Sequence, residues 1–166
     1  MGDSVVWYVA YGSNMSAARF ACYLEGGCPP GGRLGRRGAR DSAAPRSTLP
    51  LTLPGTIYFA GESQVWGGGR AFYDPTVVGG TPARAYLITR EQFEDVRDQE
   101  PPVYDRLIEV GVRDGVRMLT FTSKVGLLEV VHTVPSPAYL DMITAGIKEA
   151  HGWDECRIRR YLAQAM

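Results

Sequence analysis

Cysteine and histidine are scarce in this chain of 166 residues, and their scarcity excludes several chemistries. Cys22, Cys28 and Cys156 are an odd set that suggests no disulfide framework and suits a reducing cytoplasm. His132 and His151 are the only histidines, and both read as structural or surface residues. No Cys-x-x-Cys, His-x-x-x-His or His-Glu-x-x-His spacing occurs, which disfavours a zinc hydrolase or zinc deacylase. A catalytic cysteine would want a histidine partner, and few are on offer. Surplus charge is missing too. The 18 basic and 18 acidic residues cancel, so nothing draws the chain to nucleic acid or an anionic membrane. No apolar run approaches the ~20 residues of a membrane-spanning helix. Asp3 and the lack of a basic segment before Val5 do not read as a secretory leader.

What is present has ordinary globular proportions, 45% hydrophobic and 22% charged, and is read as one domain over residues 1–166. The most informative stretch is Val5–Met15. Val5, Val6, Trp7, Tyr8 and Val9 are strand formers. Gly12 can take backbone angles closed to other residues, and Ser13, Asn14 and Ser16 are good helix caps. A helix-competent run follows Ser16 and stops at Gly26-Gly27. Strand, tight turn and helix start gather unpaired N–H groups into one small space, which suits an anion. The same residues also suit a plain helix-entry turn. A P-loop would need a Lys-Ser/Thr pair, and a dinucleotide fold a second and third glycine; neither follows Tyr11. A small-molecule carboxylate is therefore the expected anion.

Residues 28–55 are rich in Gly, Pro and Arg and read as a long loop, with one short strand near Leu51–Leu53. Arg33, Arg36, Arg37, Arg40 and Arg46 either attract an anion or form a solvated surface. Strands are expected at Thr56–Ala60, Arg70–Tyr73, Ala83–Thr89, Tyr104–Val110, Arg117–Phe121 and Leu127–Val134, with a hairpin turn at Asp114-Gly115. Gly67-Gly68-Gly69 make a turn or bulge, or let backbone approach a ligand beside Trp66. Thr89-Arg90-Glu91-Gln92 is a capping-box pattern whose helix must end near Glu100, ahead of Pro101-Pro102. Ser136-Pro137 opens another helix through Ala150, and Asp154 caps a last one. Strands and helices without regular alternation argue for an α+β fold.

Glu100 stands at a helix C-terminus, where the macrodipole disfavours negative charge, and a dry setting would raise its pKa further. Such a carboxyl can take up and return a proton near neutral pH. An ordinary solvated glutamate is the alternative from the residues alone.

Tyr11-Gly12-Ser13-Asn14 just after an N-terminal strand resembles the γ-glutamylcyclotransferase-like family, whose loop holds the carboxylate of a γ-glutamyl group. Asp98-Gln99-Glu100 with Tyr104 and Ile108-Glu109-Val110 resembles the segment carrying the family's catalytic glutamate. Pro135-Ser136-Pro137-Ala138-Tyr139 resembles the start of its late helix, and Trp66 with Gly68-Gly69 resembles a further feature. The likeness spans nearly the whole chain in the expected order. It implies a small, mostly antiparallel β-barrel with flanking helices and an enzyme that needs no cofactor or metal. Glu100 is then the general acid/base, and Tyr11, Gly12, Ser13, Asn14, Met15, Tyr104 and Tyr139 bind substrate. The implied reaction releases 5-oxoproline and an amine from a γ-glutamyl amide. Removal of a γ-glutamyl group from an amine or a protected metabolite, or ligand binding without chemistry, are the alternatives. The implied partner is that small molecule, with a homodimer left open. Met15 replaces a usual leucine, Pro101-Pro102 replaces glycine and a small residue, and the arginine-rich stretch lacks a close match. These departures bear on substrate choice.

Overall fold

The computed structural model describes residues 4–27 and 34–166. Strand β1 (Val5–Ala10) is its centre, with Val6 to Ala10 all buried, as a strand covered on both faces requires. It pairs antiparallel with β5 (Gly80–Thr89) and, through Trp7 and Tyr8, parallel with β7 (Val116–Thr122). Strand β2 (Ser47–Pro54) joins the free edge of β5, and β6 (Arg106–Arg113) that of β7. The five-stranded sheet therefore runs β2-β5-β1-β7-β6.

A second ribbon pairs β3 (Thr56–Ala60) with β4 (Arg70–Asp74). One side chain ties it to the large sheet. The Thr122 hydroxyl accepts from the Tyr73 N–H at 2.9 Å and donates to the Tyr73 carbonyl at 2.8 Å, replacing a rung of ladder. Thr81 donates to the Gly55 carbonyl at 2.9 Å and closes the other end. The ladders are antiparallel apart from β1–β7, and with helices outside the sheets the architecture is α+β.

Helix starts follow their capping residues. Ser16 caps α1 (Ala17–Glu25), the Thr89/Gln92 capping box opens α2 (Arg90–Asp98), Ser136 with Pro137 opens α3 (Pro137–His151), and Asp154 caps α4 (Glu155–Gln164). Among the described residues no helix is long and apolar enough to cross a membrane. Asp114 and Gly115 both have positive φ, +52° and +75°, and turn the β6–β7 hairpin.

Two expectations need correction. The loop after Cys28 is shorter than 28–55, because β2 already begins at Ser47; the alternation of its side chains, masked by three prolines near it, sets its edge pairing. Residues 28–33 lie outside the described residues. Leu127–Val134 is no strand. Residues 127–130 coil in a turn, and only His132 and Pro135 make single bridges, to Ala60 and Gly68. Its apolar residues Leu128, Val131 and Val134 stand in solvent, so β propensity without a face to bury did not make a strand here.

Candidate active site

Where β1 ends, the chain turns through Gly12 into a single 3-10 turn, Ser13–Met15, and then into α1. Gly12 has φ −120° and ψ −138°, outside the left-handed region. The turn is held from behind: the Tyr86 hydroxyl donates to the Asn14 carbonyl at 2.6 Å, and Arg84 Nη1 to the Met15 carbonyl at 3.1 Å. The Met15 N–H is used within the turn, on the Gly12 carbonyl at 3.1 Å. The N–H groups of Gly12, Ser13 and Asn14 have no such partner among the described residues, as the start of a short helix dictates. All three residues line a cavity of about 410 Å³.

Glu100 lines the same cavity. It sits just past the end of α2, its N–H bonded to the Arg97 carbonyl, and Pro101 turns the chain away behind it. Burial raises its pKa above the usual glutamate value; a hydrogen bond from Tyr23 and the charges of Arg36, Arg19 and Arg70 partly offset that rise. Glu100 is the one carboxylate among the described lining residues.

The tyrosines named from sequence form walls. Tyr139 accepts from the Ala71 N–H at 3.1 Å and keeps its own proton free. Tyr104 donates to the Ala71 carbonyl at 2.8 Å, so both backbone groups of Ala71 on β4 are taken by tyrosine hydroxyls. Tyr11 donates to the Phe121 carbonyl at 2.8 Å and is buried. Trp66 stacks on Tyr139 with ring centroids 5.9 Å apart. Met15 departs from expectation. Its side chain is fully buried against Gly146 and lines no part of the cavity. As the last residue of the turn it faces α3 and the core.

The glycines after Trp66 serve the chain itself. A β-carbon on Gly68 would lie 2.5 Å from the Val134 carbonyl, and one on Gly69 2.3 Å from that of Thr133. They allow residues 133–136 to run directly alongside the segment that leads into β4, where Gly69 N–H donates to the Val134 carbonyl at 2.9 Å.

Arg19 and Arg70 were not singled out from sequence. Arg19 is only 1% exposed and lines the cavity; its Nε and Nη1 lack partners among the described residues. The signal was legible: Arg19 shares the apolar stripe of α1 with Phe20, Tyr23 and Leu24, where a cation has no bland reason to be. Within the arginine-rich stretch, Arg36 reaches the cavity, whereas the exposed Arg40 pairs with the buried Asp95 at 3.0 Å. Arg37 and Arg46 are exposed, and Arg33 and Cys28 lie outside the described residues. The two histidines bond backbone carbonyls, His132 that of Leu127 and His151 that of Ala83, each at 2.9 Å.

This chain path recurs in solved structures. It superposes on a gamma-glutamyl cyclotransferase with a TM-score of 0.64, over 96% of this chain and 88% of that one, at 18% identity. The fold is the γ-glutamyl cyclotransferase fold. An uncharacterized protein from Homo sapiens shares it (TM-score 0.66, 19% identity, 97% of this chain and 88% of that one). So does YkqA from Bacillus subtilis (0.62, 20% identity, 97% and 54%). In sequence, the chain is 42% identical over 99 residues to histone deacetylase 5 of Arabidopsis thaliana, a match that takes in 57% of this chain. It spans only 15% of that protein, whose name describes the whole. No protein-family model matches the chain. In the γ-glutamyl cyclotransferase fold seen here, one carboxylate, an amide-bearing turn, aromatic side chains and three arginines thus line the same cavity.

Proposed function

We propose that this protein is a cofactor-independent γ-glutamyl cyclotransferase that converts a γ-glutamyl amide into 5-oxoproline and a free amine. The observation that carries this reading is that Glu100 and the Gly12–Asn14 turn line one cavity, although far apart in sequence.

A γ-glutamyl group contains its own nucleophile, so the protein must curl it, move a proton and steady an oxyanion. The N–H groups of Gly12, Ser13 and Asn14 take the α-carboxylate. Glu100, ionised, removes a proton from the α-ammonium. The α-nitrogen attacks the γ-carbonyl carbon, closing a five-membered ring. The Tyr139 hydroxyl, whose proton is uncommitted and which lies beside Gly12, donates to the developing γ-oxyanion. As that intermediate collapses, the bond to the departing nitrogen breaks and Glu100 returns the proton to it; the ring nitrogen then gives up its second proton by way of Glu100 to the released amine, leaving 5-oxoproline and an ammonium. A raised pKa suits Glu100 for both halves of this exchange. Holding the ends of the chain together supplies part of the ~7–11 kcal/mol that well-oriented intramolecular reactions gain.

Incubating the protein with a library of γ-glutamyl peptides and γ-glutamyl amines, with mass-spectrometric detection of 5-oxoproline, tests the reading and identifies the leaving amine. Release that depends on Glu100 supports it. Binding of γ-glutamyl compounds without release would leave a ligand-binding module instead.

A further inference from the structure

We propose that Tyr23 is a positioning residue for Glu100, fixing the carboxylate oxygen Oε1 so that Oε2 is the oxygen that exchanges the proton. The proposal rests on Glu100 being the proton carrier of the reaction above.

The geometry is a clamp built from three directions. The Tyr23 hydroxyl donates to Glu100 Oε1 at 2.5 Å. Its own oxygen accepts from Arg36 Nη2 at 3.1 Å and, more weakly, from Arg19 Nη2 at 3.4 Å. Both guanidinium carbons lie 4.8 Å from the Tyr23 ring centroid. Gln99, next to Glu100, donates to the Tyr23 carbonyl at 2.9 Å, and Arg36 Nη1 donates to the Gln99 carbonyl at 2.9 Å. The end of α1, the segment at Arg36 and the end of α2 are thereby strapped together around one phenol.

Among the described residues only Oε1 accepts a hydrogen bond, while Glu100 as a whole lines the cavity. A carboxylate with both oxygens free would rotate, and its basic lone pair would be aimed at the substrate only part of the time. A hydrogen bond to the charged form also holds that form, against the burial that disfavours it. Other groups facing Glu100 are Arg70 on β4 and the neutral phenols Tyr8, Tyr11, Tyr104 and Tyr139. Burial holds the Tyr23 phenol well above its ordinary value, so it stays a donor throughout the working range.

The test is the titration of Glu100 itself. Carboxyl-labelled glutamate followed by carbon NMR, with Glu100→Gln identifying the signal, gives its midpoint without any turnover. Tyr23→Phe removes one hydroxyl and is expected to raise that midpoint by about one pH unit. The acidic limb of kcat/KM should move up with it, and kcat should fall roughly tenfold with little change in KM. A folded Tyr23→Phe protein whose midpoint is unmoved or lower overturns the proposal. Should that variant not fold, Arg36→Gln is read the same way: a smaller upward shift supports the clamp and none overturns it. A wild-type protein that releases no 5-oxoproline fails the reaction itself. One that does release it, but whose Glu100 ignores Tyr23, fails only this inference.

Discussion

Gly146 on α3 lies so close to Met15 that a β-carbon at position 146 would sit 2.7 Å from the Met15 β-carbon, and equally close to the Ser16 N–H. A mid-helix glycine normally weakens its helix by roughly 0.5–1 kcal/mol relative to alanine, so Gly146→Ala should on propensity grounds stabilise. Here packing decides the sign. The neighbours are backbone and a fully buried side chain, and neither can yield cheaply. Gly146→Ala is expected to lower stability by about 1–3 kcal/mol, as overpacking does. It should also displace the 3-10 turn whose N–H groups line the cavity. Urea unfolding measures the first effect. Weakened binding of a γ-glutamyl compound by titration calorimetry measures the second.

Tyr139 and Tyr104 hold opposite ends of Ala71, and their hydroxyls do different jobs. Tyr139 accepts from the Ala71 N–H, and Tyr104 donates to the Ala71 carbonyl. Tyr139→Phe leaves a buried donor unpaired, worth about 1–3 kcal/mol, and removes the proposed oxyanion donor. Its kcat should fall by roughly 100-fold or more with KM little changed. Tyr104→Phe keeps the aromatic wall, loses the bond to the Ala71 carbonyl and should leave kcat within about tenfold of wild type. Equal losses of kcat in the two variants would take Tyr139 out of the chemistry.

How much of this was legible beforehand differs from element to element. Local chemistry was readable: Thr89-x-x-Gln92, Ser136-Pro137 and Asp114-Gly115 each form the cap or turn their residue types favour, because those preferences act over three or four residues. The Leu127–Val134 stretch was misread because apolar composition says nothing about whether a face exists to bury it; Leu128 is 88% exposed. Gly68 and Gly69 were ambiguous for a related reason. Their purpose is set by the backbone of residues 133–136, more than sixty positions away. The cavity shows both cases. Glu100 could be singled out by its place at a helix end, whereas Arg19 required noticing a cation within the apolar stripe of α1. That Arg36, rather than Arg40, reaches the cavity was beyond reach, since both sit in the same unpatterned stretch.

The pH dependence of turnover has a definite sign. Burial raises the Glu100 pKa, and general-base action requires the ionised form. Activity should therefore rise through an acidic limb whose midpoint lies above the ordinary glutamate value of about 4.3. Glu100→Gln keeps an acceptor for Tyr23 but cannot take a proton. Its release of 5-oxoproline should fall at least ~100-fold at every pH, while its circular dichroism and its affinity for a γ-glutamyl compound stay near wild type. A variant that still turns over, with the same acidic limb, assigns the proton transfer to another group.

Asp74 governs a different pH effect, on stability. It ends β4, and its carboxylate accepts from the Thr76 N–H at 2.9 Å, the Thr76 hydroxyl at 2.6 Å and the Leu127 N–H at 3.0 Å. Burial alone would raise its pKa, but these three donors outweigh it and hold the carboxyl below the usual aspartate value. A carboxylate with a depressed folded-state pKa stabilises the protein above its unfolded pKa of about 3.9. That stabilisation is lost as pH falls from there through the lower folded-state value. Asp74→Asn puts an amide where three donors converge on the two oxygens, so at least one of its N–H groups faces another donor. The variant should lose about 1–3 kcal/mol at neutral pH and show a flatter stability profile on acidification, with the two proteins converging in the most acid samples. Urea unfolding across that pH range measures both. Because the Leu127 N–H anchors the turn that leads to residues 133–136 alongside Gly68 and Gly69, hydrogen exchange should also quicken at Leu127 and Glu129 before it does in β1.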